Sequence, residues 1–102
     1  MRTKPTLDEA KTRLRLDPDL ATDLQGAIDQ AHARAVKVLD GTLYETEVAM
    51  AADPRGILSA EDIIAAQLLL VDCFIGNNTQ QERESKEAAA LSILRLHRNM
   101  GA

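Results

Sequence analysis

The stretch "EDIIAAQLLLVDCFIG", residues 61–76, decides the fold. Between Ile63 and Ile75 its only polar side chains are Gln67 and Asp72. At 100° per residue those two stand about 140° apart around a helix axis, so they form no polar face. Ile63, Val71 and Phe74 lie on one side, Ile64, Leu68 and Ile75 on a second, Leu69 and Cys73 on a third. A helix apolar on all sides must be covered on all sides. Its eight large side chains (Ile63, Ile64, Leu68, Leu69, Leu70, Val71, Phe74 and Ile75) are each worth about 1.5–3 kcal/mol when buried. Three short helices can barely cover it, and a neighbouring subunit would do so more comfortably. The run is too short to cross a bilayer, which takes roughly 20 apolar residues.

The rest of the chain supplies the covering elements. Ser59 is placed as the cap of this helix, which is expected over about 60–75. Upstream, "TLDE" at residues 6–9 puts a threonine three positions before a glutamate, a capping box. A first helix is expected from about 7 to 16, with Leu7, Ala10 and Leu14 on its apolar side and Lys4, Lys11, Arg13 and Arg15 around it. Pro18 breaks it, because proline lacks an amide hydrogen and disfavours a helical residue before it. A second helix follows over about 19–40. Its stripe of Leu20, Leu24, Ala27, Ile28, Ala31, Ala35, Val38 and Leu39 recurs at threes and fours, and Gly41 stops it. "GNNTQQ" reads as a loop that turns helical near Gln80, and a last helix is expected over about 80–99. Ala88, Leu91, Leu94 and His97 or Arg98 form its seam, with Ile93 and Leu96 beside it. It ends basic, at "RLHRNM", which suits the negative end of a helix dipole.

Residues 42–58 stay irregular. Tyr44, Thr46 and Val48 alternate with Glu45 and Glu47 as in a short strand or an extended arm, and "DPRG" signals a turn. The expected class is therefore all-α: one domain over 1–102, a bundle of about four helices, with a core that includes Leu24, Ile28, Ile64, Leu68, Val71, Phe74, Leu91 and Leu94. Scarce aromatics, Tyr44 and Phe74 alone, favour helices over sheets.

Chemistry is sparse. His32 and His97 share no metal-binding spacing and read as exposed helix residues without a role. Cys73, the single cysteine, sits in the apolar run and reads as a buried, inert thiol. Asp17, Asp19 and Asp23 are spaced D-x-D-x-x-x-D, like part of a calcium loop, but the stretch lacks the turn glycine and the distal glutamate. They are better explained as helix-end charges. No phosphate loop or nucleophile motif is present, so no cofactor, metal or enzymatic activity is expected. A net charge of −4 argues against DNA binding over the whole surface. A helix-turn-helix fails because its recognition helix would be apolar throughout. With no apolar N-terminal stretch, the chain is expected to be soluble and intracellular.

Three stretches carry a resemblance. "TLDEAKTRLRLDPDLATDLQGAIDQAHARAVKVLDG" resembles the opening of the small head–tail connector (head-completion or adaptor) proteins of tailed bacteriophages, with its short helix, acidic joint and long helix closing on glycine. "ILSAEDIIAAQLLLVDCFIGN" is similar to their central apolar helix, and "AALSILRLHR" to their closing helix. The family's central helix usually ends in an aromatic-rich stretch, where this chain has "DCFIGNN". The resemblance implies a virion neck protein assembled in the host cytoplasm, forming a ring, commonly of twelve copies, beneath the portal. Such a ring extends the DNA channel without reading sequence and docks a stopper or tail-completion protein. Portal contact by Arg95, His97 and Arg98 is expected, as that end often makes in the family, and the long irregular segment is expected to give subunit or stopper contact through Tyr44, Glu45, Thr46, Glu47 and Val48. The expectation from another class is a small helical regulator, antitoxin-like, that dimerises through the third helix.

Overall fold

The computed structural model describes residues 2–14, 21–75 and 78–98. The chain is mostly helical: α1 (Leu7–Leu14), α2 (Ala21–Leu39), β1 (Leu43–Tyr44), α3 (Glu47–Met50), β2 (Ile57–Leu58), α4 (Glu61–Ile75) and α5 (Gln80–His97). The four helices expected from periodicity are α1, α2, α4 and α5. The helix break at residues 15–20, with Asp17 and Asp19, lies outside the described residues.

The apolar helix α4 is the centre of the bundle. It packs most heavily on α5, then on α2, with α1 against it as well. Ile63, Ile64, Leu68, Leu70 and Val71 are buried, and Leu69 and Ile75 are partly so. A single chain thus covers most of this helix itself. The reason lies in α2: Leu24, Ala27, Ile28, Ala31, Ala35 and Leu39 are all buried, and its alanines let the two helix backbones come close.

Phe74 corrects the expected core, being 40% exposed. It lies by a groove lined by Asp23, Gly26, Ala27, Gln30 and Ile75, where α2 offers a glycine with open space around it and no large side chain to cover the ring. Leu91 is only half-buried, because α5 is rotated from the expected seam. Ala90 and Leu94 point inward, while Ala88 is exposed. Two contacts between α4 and α5 accompany that rotation. Lys86 pairs with Asp72 at 2.6 Å near one end of α5, and His97 with Asp62 at 2.6 Å at the other.

Gln67, fully buried in α4, is held by the N-terminal segment. Its Nε2 donates to the Thr3 carbonyl at 2.9 Å, which leaves Oε1 to accept from His32 Nδ1 at 3.1 Å. His32 is therefore half-buried and partnered, not an idle surface residue. Ser59, expected as the cap of α4, instead donates its hydroxyl to the Arg2 carbonyl, and the first helical bond runs from Ile64 N to Ala60 O. Residues 2–6 thus cross the start of α4 as a strap, with Pro5 buried beneath. The capping box at α1 forms as expected, with reciprocal bonds of 3.1 Å between Thr6 and Glu9. A second threonine-to-glutamate capping pair starts α5, where Thr79 accepts from Glu82 N at 3.1 Å.

The segment expected as a short strand or an extended arm is a folded clasp, whose strand is limited to Leu43–Tyr44. Leu43 and Tyr44 pair in parallel with Ile57 and Leu58, and the turn of helix α3 lies between them. Parallel strands need a crossover of about a dozen residues, which 45–56 just supplies. Asp40, not Gly41, takes the left-handed conformation that ends α2, at φ 57°. Gly41 N then closes back on Val36 O at 3.4 Å, the six-residue bond of a Schellman stop. The expected Asp53–Gly56 turn forms, with Gly56 N on Asp53 O at 3.0 Å.

Two glycines predict opposite effects from one substitution. Gly26 sits inside α2, and a methyl carbon added there would have nothing within 4 Å of it. Gly26→Ala should therefore raise stability by about 0.5–1 kcal/mol. At Gly56 an added methyl carbon would stand 2.6 Å from Met50 Cγ and 2.9 Å from the Tyr44 ring. Gly56→Ala should lower stability by about 1–3 kcal/mol. Urea denaturation followed by circular dichroism checks both, and equal effects would contradict the packing described.

Candidate interaction surface

The residues expected to carry function fall into two groups at one end of the bundle, where α4 begins and α5 ends. The first group is the clasp. Tyr44 is half-buried and its hydroxyl donates to Asp53 Oδ2 at 2.9 Å, which holds the phenol pKa above its usual value. Asp53 Oδ1 accepts from Arg55 N at 3.0 Å, and Arg55 pairs with Asp40 at the base of the clasp. Thr46 caps α3 by accepting from Ala49 N at 3.1 Å. Tyr44 and Thr46 therefore build the clasp. Glu45, Glu47 and Val48 form its exposed tip.

The second group ends α5. Arg95 and Arg98 are exposed, but His97 is half-buried, with Nε2 donating to Asp62 Oδ2. That bond is the main reason the Asp62 carboxyl sits below the ordinary aspartate value. His97 thus anchors the end of α5 to the start of α4 and leaves the two arginines as the exposed charges. Leu96 beside them is 81% exposed. The strap adds a further layer. Arg2 grips Glu9 through two guanidinium nitrogens and reaches Glu61 at 3.6 Å. The Glu9 carboxyl is held low chiefly by Arg2.

At the opposite end, Asn78 donates to the Asp72 carbonyl at 2.9 Å, and Lys86 joins Asp72 and Asn78, closing the α4–α5 corner. Asp72 raises the Lys86 pKa. Cys73 is buried, its Sγ donates to the Arg83 carbonyl at 3.5 Å, and burial pushes the thiol pKa up. It is a packing residue with little thiolate at neutral pH.

Among the described residues no group of three or more histidines, cysteines and carboxylates could hold a metal ion. Asp23, the one described member of the three joint aspartates, is exposed in the first turn of α2. Among the same residues no helix is long and apolar enough to cross a membrane. Among the described residues the clasp and the end of α5 are both charged and partly apolar at their exposed positions.

The sequence missed His97–Asp62, Lys86–Asp72 and the strap, because each joins residues far apart in the chain. The cap at Thr79 was legible in principle from the threonine-to-glutamate spacing at residues 79–82. No protein-family model, curated protein or solved structure matches the chain.

Asp62 and Glu9 titrate lower in the folded chain than the roughly 3.9 and 4.3 of unfolded carboxyls. The stability each contributes is full above those unfolded values and is lost as pH falls through the depressed folded ones. Urea midpoints should therefore decline below about pH 4. Asp62→Asn should start lower at neutral pH and decline less steeply in acid. An acid slope identical to that of the unsubstituted protein would show that the His97 bond adds nothing.

Proposed function

We propose that the chain is a subunit of the neck of a tailed bacteriophage, a head–tail connector that stacks as a ring beneath the portal and lengthens the DNA channel. The observation that carries this reading is the order of its parts. The three stretches that bear the family likeness correspond to α1 with α2, to α4, and to α5, packed around one central apolar helix.

Two further features support it. The chain is acidic, with net charge −4, so a channel lined by such subunits would repel phosphate and let DNA slide. The clasp and the end of α5 lie at one end of the bundle, which suits a part whose task is to touch other proteins. In this reading Arg98 meets the portal, and His97 holds the helix end in place from behind. The clasp tip faces a neighbouring subunit or the stopper. The finished ring resides in the virion neck, after assembly in the host cytoplasm. A regulator that dimerises through α4 is less well supported, because that helix spends its apolar surface inside its own chain.

Negative-stain microscopy of the protein mixed with purified portal rings tests the reading. An annular layer stacked on the portal is expected. Arg98→Glu should weaken that decoration about tenfold, the equivalent of one contact of about 1.4 kcal/mol. Portal rings left bare at saturating protein would overturn the assignment.

A further inference from the structure

Five large apolar side chains are exposed among the described residues, and two stand far above the others. Val48 is 87% exposed and Leu96 81%, whereas Phe74, Leu58 and Leu7 are at 40% or less. Each of the two has charges of one sign beside it in the sequence. Val48 lies on the clasp tip beside Glu45 and Glu47, and Leu96 on α5 beside Arg95, with Arg98 just beyond. Among the described residues Glu47, Arg95 and Arg98 form no ion pair within the chain.

The surroundings are low in relief on both sides. Ala49, Ala51 and Ala52 lie around Val48, and Ala88, Ala89 and Ser92 are exposed on the flank of α5 that leads to Leu96. Small residues let two backbones approach until the larger apolar side chains touch.

Three self-pairings are conceivable, and charge separates them. Val48 against Val48 would set glutamate against glutamate, and Leu96 against Leu96 would set arginine against arginine. Only Val48 against Leu96 brings both apolar groups together with opposite charges around them. The geometry points to a contact between two copies of this chain, in which the clasp tip of one seats on the outer flank of α5 of the next, Val48 on Leu96 and Glu47 opposite Arg95.

This contact joins different patches, so it is heterologous and can propagate, closing into a ring if the rotation between copies permits. The patches are small beside the roughly 1,200 Å² of a stable interface, so one contact alone is weak. Copies aligned on a platform would hold one another through two such contacts each. The inference deepens the connector reading by naming its ring contact, and it rests on that reading only for closure into a ring.

Disulfide trapping tests it on the chain alone. Val48→Cys and Leu96→Cys are made separately, each with Cys73→Ala, mixed in equal amounts and oxidised, and the products are identified by mass spectrometry. Mixed 48–96 dimers should dominate well beyond the half expected from random pairing. Glu47→Lys in the Val48→Cys chain should return their share to the random half, and Arg95→Glu in the Leu96→Cys chain should restore the excess. Sedimentation velocity of the cysteine-unaltered protein at high concentration should show the same loss with Glu47→Lys and the same recovery with both changes in one chain. Random pairing with no response to charge overturns the contact. Mixed dimers without portal decoration would leave the contact standing and remove the connector reading; portal decoration with random pairing would do the reverse.

Discussion

Everything in this fold answers to the need to cover α4. A helix of fifteen residues that is apolar on all sides cannot lie at a surface, and a chain of this length has few elements with which to wrap it. The solution is close packing with small partners. The alanines of α2 let it lie near α4, Ala90 of α5 does the same from another side, and the N-terminal strap crosses the start of the helix. Gln67 marks where the strap crosses. A buried amide is tolerated only if its hydrogen bonds are met, and the Thr3 carbonyl with His32 meets them. The one polar interruption in the buried run therefore locks the strap, α2 and α4 into a common register.

Covering the helix also determines what remains outside. Since α4 is enclosed by its own chain, the most exposed apolar side chains lie elsewhere, on the clasp and on α5. Ala90 and Leu94 turn inward on α4, the Asp62–His97 and Asp72–Lys86 contacts tie α5 down in that rotation, and Leu96 and Arg95 face outward.

Much of this was legible in the sequence, and what was not has a common physical cause. Helix positions and types follow from local signals: the 3.6 period of α2, the capping box at Thr6, the turn at Asp53–Gly56. Local signals also misled where a neighbour decides the outcome. Gly41 reads as the helix stop, yet Asp40 takes the left-handed position. Ser59 reads as a cap, yet the strap claims its hydroxyl. Phe74 reads as core because it is large, but burial depends on what faces it, and Gly26 faces it. The alternation at residues 44–48 suggests extended chain, whereas Thr46 caps a helical turn. The two candidate contact groups were named from the sequence; that His97 anchors one and Tyr44 builds the other depends on pairings no local pattern reveals.

The small parallel ladder has a consequence for how such a chain can vary. Ile57 N bonds to Thr42 O and Ser59 N to Tyr44 O, each at 2.9 Å, so the two ends of the 45–56 segment are tied together at the base. Length added between tied ends leaves the helices on either side where they were. Doubling such a loop costs only about 0.6 kcal/mol in closure entropy. The clasp is accordingly, among the described residues, a place where this fold can accept inserted sequence, whether by natural divergence or as a graft site for a foreign peptide, with the bundle beneath it undisturbed.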